Sequence, residues 1–421
     1  MLEKLLKNPD VLARHRSVPF AEERERYLTH KSDQKYADST LAGLANELLL
    51  ISEHFRSHEA STEKICMSEI REVAEKWAGC QHDSGRAQTG EWSDKFFMRV
   101  AIDWFRFLGR LQEPVPKPHW YASMLEDYVS FMKHEQNLSP KTIHNRCWHA
   151  ERFLQWYKSG RKEIGVSSVQ IIDIDDFLKT CGNRGWSRSS LACSAGTLRA
   201  FFRHAAMRQW CDPEIPQLIQ GPRLYAQLDL PAGPTWKDIE RLIYSMNTES
   251  SSDIRDRAIV LLLAMYGLRS SEVANLKLDD INWQDSRITF TRTKQRRCEE
   301  YPLVPVVGNA LIHYLQTVRQ RRQTTYREVF LTLIAPFKLL SNHAIHSLLS
   351  RRMVKAEIST SQRSPKSLRH ACATHLLNEG LSLKEIGDHL GHRKLSTTQV
   401  YAKVDLPNLR KVAQFNFGGA L

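Results

Sequence analysis

Three features are scarce or missing in this 421-residue chain, and each argues against a class of protein. The longest apolar run, residues 259–265, is far shorter than the roughly 20 residues that a membrane-spanning helix needs. The N-terminus is charged and has no apolar core segment, so we expect no secretory signal. None of the eight cysteines stands in a Cys-x-x-Cys pair, which argues against a disulfide framework or a structural zinc site. Together these absences predict a cytoplasmic protein with reduced thiols.

What the sequence does have is positive charge, concentrated toward its C-terminal end. The formal net charge is +13. Counted along the sequence, it is −1 over residues 1–112, +3 over 113–229 and +11 over 230–421. A basic surface attracts polyanions because binding releases their counterions. We therefore expect the C-terminal part to face nucleic acid, although a solvated basic surface explains the net charge equally well.

Two proline-rich segments divide the chain. Residues 113–118 hold three prolines, and residues 211–235 hold five together with two glycines. Each proline restricts the residue before it and favours extended, linker-like backbone. We therefore predict three domains, at residues 1–112, 118–212 and 230–421.

The middle domain has a helical pattern. Ser139-Pro140 is an N-cap followed by proline at the first helical position, and apolar residues then recur at helical spacing up to Tyr157. A second apolar and aromatic helix is predicted after Trp186-Ser187. The predicted domain is an all-helical unit.

Residues 1–110 resemble a weakened copy of that unit. At a shift of 102 positions, Ile51 and Phe55 align with Phe153 and Tyr157. Further along, at a shift of 94, Trp92-Ser93 corresponds to the Trp186-Ser187 pair that precedes the second helix. Internal similarity of this kind predicts a repeated structural unit. A chance likeness between two amphipathic helical segments is an equally good explanation.

The C-terminal domain is predicted to mix helices with a small sheet. Thr235, with Asp238 three residues on, caps a helix, and residues 254–265 form a nearly all-apolar, buried helix. Strand-like segments follow at 281–283, 287–292 and 300–304, after which helices resume. The predicted fold is therefore mainly α with a small antiparallel β-sheet in the C-terminal domain of a multidomain chain.

Residues that can cleave a phosphodiester are gathered in this basic domain. Attack by a tyrosine hydroxyl builds charge on the non-bridging oxygens and expels a 5′-alkoxide, so the site needs bidentate cations and a proton donor. Arginine suits the first task and lysine or histidine the second, and no metal or other cofactor is required. Each candidate alone has a plainer explanation, such as a surface ion pair, a solvated turn lysine or a packing tyrosine.

Three sequence blocks occur together in the right order: YGLRSSE at 266–272, LRHACATHLL at 368–377 and LGHRKLSTTQVY at 390–401. They resemble the signature blocks of tyrosine recombinases, the phage-integrase-type enzymes that break and rejoin DNA. The likeness is specific over about residues 230–405. Residues 118–210 are similar in pattern to the core-binding domain of that family, with weaker motifs.

The resemblance implies a role for each matched residue. Tyr401 would be the nucleophile that forms a 3′-phosphotyrosyl link and frees a 5′-hydroxyl. Arg269 and Arg369 would clamp the scissile phosphate. His392 would be a further donor to the phosphate. Lys294 would be the general acid for the leaving oxygen, and Glu272 would orient the site.

One position departs from the commonest family pattern. Most members carry histidine three residues before the second arginine, and this chain has Lys366. Lysine can still donate to a phosphate oxygen, but it does not easily accept the Tyr401 proton, so the proton acceptor is open. Further basic residues are expected to contact DNA: Lys141, Arg146, Arg292, Arg296, Arg297 and His370.

The partners implied by the resemblance are double-stranded DNA with specific crossover sites and further copies of the chain, in a tetrameric synapse. Partner recombinases of the same element are a further expectation, and the location would be the nucleoid of a prokaryotic host. The reaction would be integration, excision or transposition of a mobile element. Two alternatives remain, an accessory DNA-binding recombinase with weakened catalysis and a type IB topoisomerase-like relaxing enzyme.

Two segments have an open role. Residues 1–112 are less basic than an arm-type DNA-binding domain, so contacts between protomers or with partner recombinases are preferred over an extension of the DNA clamp. The tail after Tyr401 has apolar residues at helical spacing, which predicts a helix docked on a neighbouring protomer or folded on its own domain: Leu406, Leu409, Val412 and Phe415.

Overall fold

The computed structural model of the chain describes residues 1–59, 61, 63–83, 90–113, 118–159, 165–224, 233–292, 297–320, 322, 324–392 and 397–404, without the side chains of 79–83, 90–93 and 402–404. The chain is mostly helical and has a small antiparallel sheet near its C-terminal end, which confirms the predicted fold class. Backbone contacts group it into two compact units, Val115–Leu228 and Met1–Pro114 with Asp229–Leu421. Within the described residues, no helix is both long and apolar enough to cross a membrane.

The N-terminal segment consists of helices around a core of their own. Its elements are α1 (Leu2–Leu5), α2 (Pro9–Ser17), α3 (Ala21–Asp33), α4 (Asp38–His54), β1 (Ile65–Cys66), α5 (Met67–Asp83), α6 (Gly90–Phe107) and β2 (Leu111–Gln112). The two short strands pair in parallel. Tyr27, Phe97 and Trp104 are almost completely buried in the core between the helices. Aromatic side chains of this size bury much apolar area, which stabilises the segment.

The Val115–Leu228 unit is all-helical, as predicted. It comprises α7 (Ala122–His134), α8 (Pro140–Ser159), α9 (Ile171–Asn183), α10 (Arg188–Met207) and α11 (Ile215–Leu218). Both predicted helix starts are confirmed. The Ser139 hydroxyl accepts from the Thr142 amide at 3.3 Å, and the Ser187 hydroxyl accepts from the Ser190 amide at 3.2 Å. These caps satisfy amides that the first helical turn leaves without partners.

The order of four helices in the N-terminal segment, α3 to α6, recurs in α7 to α10. The first residues of α4 and α8, Asp38 and Pro140, are separated by the predicted shift of 102. Ile51 and Phe55 are buried, and so are their counterparts Phe153 and Tyr157. One detail of the prediction is wrong, because α6 begins at Gly90 rather than after Ser93. The duplication stays a hypothesis, now supported by element order as well as by sequence.

The C-terminal segment surrounds a second core. Its elements are α12 (Trp236–Tyr244), α13 (Ser251–Met265), α14 (Ser270–Ala274), β3 (Ile281–Asn282), β4 (Arg287–Arg292), β5 (Arg297–Pro302), α15 (Pro305–Tyr314), α16 (Asn342–Lys355), α17 (Pro365–Asn378) and α18 (Leu383–His389). A π-helical turn follows α15 at Leu315–Arg319, and a 3₁₀ segment spans Gln399–Val404. The tail residues predicted to dock, Leu406, Leu409, Val412 and Phe415, lie outside the described residues.

Helices α12 and α13 follow the sequence prediction. Thr235 and Asp238 cap α12 reciprocally, each side chain accepting from the other's backbone amide, at 3.2 and 3.1 Å. Helix α13 is buried along almost its whole length and packs against α15 and α17. From Ala258 to Ala264 every residue of α13 is apolar, and a helical segment that is apolar all round belongs in the interior of a domain. The first sequence block, which begins at Tyr266, therefore starts inside the core, directly after the C-terminal end of α13.

The sheet has the order β3-β4-β5 and is antiparallel throughout. Strand β4 has the predicted bounds. The predicted third strand, 300–304, is displaced: β5 begins at Arg297, opposite Arg292, and ends at Pro302, opposite Arg287. Polar residues such as Glu299 and Glu300 occupy β5 because it is an edge strand, and this obscured its start in the sequence. Lys294 and Arg296, in the predicted turn, lie outside the described residues.

Candidate active site

Arg269 is held by the acid three residues after it. It caps α14, and its backbone amide donates to Glu272 Oε2 at 2.9 Å while its Nη1 donates to Oε1 at 2.8 Å. The Glu272 side chain is completely buried, whereas that of Arg269 is 25% exposed. The carboxylate therefore fixes both the backbone and the guanidinium of Arg269, and part of the arginine stays accessible to a ligand.

Arg292, at the end of β4, is a buried structural residue. Its side chain has no exposed surface, and its guanidinium donates to Glu272 Oε2 (2.9 Å) and Glu299 Oε2 (2.7 Å). It also donates to the Tyr301 hydroxyl (2.6 Å) and to the backbone carbonyl of His389 (3.1 Å). The prediction that Arg292 contacts DNA is therefore wrong. A DNA contact needs an exposed side chain, whereas that of Arg292 is buried and bonded to residues inside the domain.

Arg369 connects the first and third sequence blocks. From α17, its Nη1 donates to the Gly267 carbonyl and its Nη2 to the Leu390 carbonyl, both at 2.6 Å. These carbonyls lie two residues before Arg269 and two residues before His392. Each terminal nitrogen carries a second hydrogen, so the guanidinium can hold the two backbone segments and still donate to a phosphate.

Gly267 makes this close approach possible. Its φ is +56°, a conformation that residues with a Cβ rarely adopt, and an added Cβ would collide with the Leu390 side chain. The glycine thus allows the chain to turn sharply after α13 and lets the Gly267 carbonyl meet Arg369. This is the physical reason for glycine in the YGLR block.

His392 is oriented by a buried threonine that the sequence analysis did not single out. Its Nδ1 lies 2.8 Å from Thr398 Oγ1, and Thr398 has no exposed surface. A hydroxyl that donates to Nδ1 places the ring proton on Nε2. In that tautomer Nε2–H is the donor for a ligand, the role in which His392 is predicted to contact a phosphate.

Tyr401 lies against His370. The phenolic oxygen is 2.9 Å from His370 Nδ1, and the tyrosine is only 2% exposed. The backbone amide of Tyr401 donates to the Thr398 carbonyl at 3.0 Å, which fixes the start of the 3₁₀ segment. His370 therefore contacts the predicted nucleophile, whereas the sequence analysis expected it to contact DNA.

These side chains surround one cavity of about 380 Å³. Predicted site residues that line it are Arg269, Lys366, Arg369, His370, His392 and Tyr401. Glu272 lies behind Arg269 through its ion pair. The cavity is also lined by His346 of α16, which no sequence motif indicated. The structure therefore brings together most of the predicted catalytic set, while Lys294 lies outside the described residues.

Three other predicted DNA contacts, Lys141, Arg146 and Arg297, do not line this cavity. Lys141 is exposed near the start of α8, and the half-buried Arg146 donates to Gln136 Oε1 at 3.0 Å. Arg297 is exposed on β5 and forms an ion pair with Glu299. Lys141 and Arg297 have the exposure that a phosphate contact needs, and their role stays a prediction. Arg296 lies outside the described residues.

Burial and positive charge set the ionisation of the cavity. Burial, followed by repulsion from Arg269, lowers the pKa of Arg369 to about 10. Burial and Arg369 lower the pKa of His392 to about 4, so its imidazole is neutral at pH 7. Burial raises the pKa of Tyr401 to about 12, against the opposing effect of Arg369. An anion that enters the cavity would offset the repulsion between the cationic groups.

Two family models match the chain. The model described as the phage integrase family matches residues 235–406, and the model described as the phage integrase N-terminal SAM-like domain matches residues 125–209. The first contains all three sequence blocks and every residue that lines the cavity. The second covers most of α7 and all of α8 to α10.

Relatives agree with these matches. The putative integrase/recombinase y4rA of Sinorhizobium fredii (strain NBRC 101917 / NGR234) is 31% identical over 333 residues, which are 78% of this chain and 80% of that protein. Tyrosine recombinase XerD of Staphylococcus epidermidis (strain ATCC 35984) is 30% identical over 299 residues, 69% of this chain and 97% of that protein.

Solved structures of recombinases share the fold. XerH bound to its palindromic difH substrate, in a post-cleavage complex, covers 84% of this chain and 98% of its own, with a TM-score of 0.56 and 16% identity. The Tn1549 transposon integrase in complex with transposon right-end DNA covers 68% and 99%, with a TM-score of 0.51 and 17% identity. With both family models matched and 31% identity to y4rA over most of its length, the chain belongs to the phage integrase family, the tyrosine recombinases that break and rejoin DNA.

Proposed function

We propose that the chain is a site-specific DNA recombinase that cleaves and rejoins DNA through a 3′-phosphotyrosyl intermediate on Tyr401. The observation that carries the proposal is the cavity of about 380 Å³, which is lined by the Tyr401 side chain together with two arginines, a lysine and three histidines. A phosphodiester is the anion that such a set of donors fits. Double-stranded DNA is therefore the proposed substrate.

In the proposed reaction, Tyr401 Oη attacks the scissile phosphorus. Negative charge develops on the two non-bridging oxygens, and Arg269, Arg369 and His392 Nε2–H donate to them. Donors fixed before the reaction stabilise this charge with little reorganisation, and the loss of one such donor typically costs about 10²–10³ in rate. Glu272 and Thr398 hold Arg269 and His392 in place.

The leaving 5′-oxygen needs a proton, and Lys294 is the proposed donor. Strand β4 ends at Arg292, two residues before Lys294, and Arg292 is bonded to the carboxylate that holds Arg269. The ester keeps the energy of the cleaved bond. Rejoining to another 5′-hydroxyl therefore proceeds by the reverse reaction without a high-energy cofactor.

The proposed biological reaction is integration, excision or transposition of a mobile element, by several protomers assembled on DNA at specific crossover sites. The similar transposon integrase and the putative integrase y4rA support this. The proposed domains are a helical N-terminal domain at 1–112, a core-binding clamp at 118–212 and a catalytic domain at 230–421. Residues 1–112 would mediate contacts between protomers or with partner recombinases.

A covalent trapping assay tests the chemistry. The full-length protein is mixed, in EDTA, with nicked duplexes from the DNA that flanks its gene. We expect an adduct that survives denaturant and is lost in Tyr401→Phe, whereas DNA binding is retained. Tyr326→Phe is the matched control, because Tyr326 is 39% exposed and does not line the cavity.

The same assay separates the alternatives. Specific binding without an adduct would favour the accessory recombinase, and relaxation of supercoiled plasmids that lack a specific site would favour the topoisomerase-like enzyme. Loss of binding in Tyr401→Phe would instead make the tyrosine structural.

Lys294 is tested by changing the leaving group. Lys294→Ala should cleave a normal strand about 10²–10⁴ times more slowly than the parent, the usual contribution of a general acid. A substrate with a 5′-bridging sulfur should restore its rate, because a thiolate leaves without protonation. If the sulfur substrate is cleaved as slowly as the normal one, another residue is the acid.

A further inference from the structure

If Tyr401 is the nucleophile, its proton must move to another group during attack. Burial raises the pKa of Tyr401 to about 12, so at neutral pH the phenol is protonated. Arg269 and Arg369 are donors, and a charged Lys366 has no lone pair to accept with. His392 has its Nδ1 bonded to Thr398, and its other nitrogen is the proposed donor to the phosphate. His346 also lines the cavity, but among the described residues His370 is the one whose acceptor lies within hydrogen-bond distance of the phenol.

The contact between His370 and Tyr401 has the geometry of a proton transfer. His370 Nδ1 and Tyr401 Oη are 2.9 Å apart, and the ring centroids are 5.6 Å apart at 60°. A general base must lie within about 2.6–3.2 Å of the proton-bearing atom. Both partners are anchored, because His370 follows the doubly bonded Arg369 on α17 and the Tyr401 amide bonds to the Thr398 carbonyl.

His370 also has the charge state of a base. Burial, together with the positive charges of Lys366 and Arg369, lowers its pKa to about 4. A neutral imidazole with its proton on Nε2 has a free lone pair on Nδ1. The charged and titratable groups that share the cavity with it are Lys366, Arg369, Arg269, His346, His392 and Tyr401.

We propose that His370 is the catalytic base that accepts the Tyr401 proton. This inference rests on the proposed function. As Tyr401 Oη forms its bond to phosphorus and the P–O5′ bond breaks, the phenolic proton passes to His370 Nδ1. The leaving 5′-oxygen takes a separate proton from the general acid.

Rejoining reverses both transfers. The imidazolium returns its proton to the departing Tyr401 oxygen, and the attacking 5′-hydroxyl gives its proton to the general acid. Protons and electron pairs therefore balance without a co-reactant. This assignment fills the role that Lys366, in the position where most family members carry histidine, does not easily perform.

The test is the pH dependence of single-turnover cleavage by His370→Asn. Asparagine can still form a hydrogen bond near the Nδ1 position but does not accept a proton at these pH values. We expect cleavage at pH 7 to fall about 10²–10⁴-fold, the usual contribution of a general base. The cleavage rate of the variant should then rise about tenfold per pH unit, since hydroxide must remove the phenolic proton. The cleavage rate of the parent should not change with removal of this proton between about pH 6 and 9.

The shape of the profile distinguishes a base from a positioning residue. A deficit that stays constant over the whole pH range would overturn the proposal, because lost positioning does not depend on hydroxide. Cleavage within about threefold of the parent at every pH would overturn it as well, since a base contributes far more. His375→Asn on the same helix is the matched control, because His375 stacks on Trp236, 3.9 Å between centroids, and does not line the cavity.

The parent protein and Tyr401→Phe are measured on the same substrate. A parent that forms no Tyr401-dependent adduct would contradict the proposed function itself. A parent that forms the adduct while His370→Asn cleaves normally would contradict this inference alone. Far-ultraviolet circular dichroism and equal DNA affinity show whether each variant is folded.

Discussion

Four arginines of the C-terminal domain fall into three groups: two at the cavity, one buried in the interior and one exposed on the surface. Arg269 is partly exposed and faces the cavity, and Arg369 is buried but holds two backbone carbonyls beside it. Arg292 is fully buried and bonded on all sides, and Arg297 is exposed on an edge strand. Burial and the partners of each guanidinium, rather than residue type, therefore decide which arginines can bind a ligand.

Thr398→Val should reduce catalysis by releasing His392. Valine keeps the shape of the buried threonine but removes the hydroxyl that bonds to His392 Nδ1 at 2.8 Å. A lost hydrogen bond of about 1 kcal/mol corresponds to roughly a fivefold to tenfold slower cleavage. The measurement is the single-turnover cleavage rate on a trapping substrate.

The matched control is Thr317→Val, whose hydroxyl donates to the His313 carbonyl in the π-helical turn. It should cleave like the parent. If Thr398→Val also cleaves like the parent, with DNA affinity unchanged, the orientation of His392 does not depend on the threonine.

The sequence allowed Arg269, Arg369, His392 and Tyr401 to be predicted because each stands in a distinctive block. The structure brings all four to one cavity. The sequence did not reveal the role of Thr398, the burial of Arg292 or the place of His346 in the cavity. Burial, and contacts such as that between Arg292 and the His389 carbonyl 97 residues away, follow from tertiary packing. His370 was predicted as a DNA contact, and its contact with Tyr401 could not be predicted because it depends on how α17 packs against the 3₁₀ segment.

At the scale of elements, the site depends on connections among α14, β4, α17 and the end of α18. Arg292 joins Glu272 of α14 to the His389 carbonyl of α18, and Arg369 of α17 joins the Gly267 and Leu390 carbonyls. Tyr301 of β5 strengthens the first connection, since its hydroxyl donates to Glu299 Oε2 (3.0 Å) or the His389 carbonyl (2.9 Å). Blocks that lie far apart in sequence are thus held in one arrangement before DNA binds.

Arg292→Met should destabilise the C-terminal domain strongly. The substitution removes one partner of a fully buried ion pair and leaves Glu272 and Glu299 with fewer donors. Such changes typically lower the free energy of unfolding by about 3–5 kcal/mol. Urea unfolding followed by tryptophan fluorescence measures the loss.

Arg287→Met on the same strand is the matched control. Arg287 pairs with Glu300, and the two side chains are 59% and 50% exposed. Exposed pairs contribute about 0–1 kcal/mol, so its unfolding midpoint should stay near that of the parent. Equal shifts in the two variants would contradict a structural role for the Arg292 connections.

Element prediction succeeded where local chemistry was strong. Helices α8, α10 and α12 begin at the predicted caps, and the apolar α13 is buried as expected. It failed at β5, whose polar edge positions do not alternate clearly, and at the start of α6. At β5, pairing with β4 sets the boundary instead of the local residues.

At the scale of the whole molecule, net charge and hydrophobic cores indicate that residues 1–112 and residues 230–421 have different functions. Residues 1–112 have a net charge of −1 and a core cluster of their own, whereas residues 230–421 carry +11. Because phosphate contacts come from basic residues, the N-terminal segment should contribute little to the electrostatic part of DNA binding. The N-terminal segment resembles the Val115–Leu228 unit in the order of its helices. It does not share the positive net charge of residues 113–229, so a similar helix order does not imply the same DNA contacts.

Deleting residues 1–112 should therefore impair assembly more than binding to a single site. We expect the affinity for a half-site duplex to stay within about threefold of the parent, and the slope of log K against log salt to be unchanged, because no phosphate contact is lost. Cooperative binding to a duplex with two half-sites should fall, as measured by gel shift. Lys141→Ala in the full chain is the opposite control, since loss of the phosphate contact predicted for this exposed lysine should reduce the magnitude of the slope by about 0.9. The contrary result is a deletion that reduces the magnitude of the slope and weakens half-site and two-site binding equally. It would assign residues 1–112 to the DNA clamp, because only groups that neutralise phosphates change the number of counterions released.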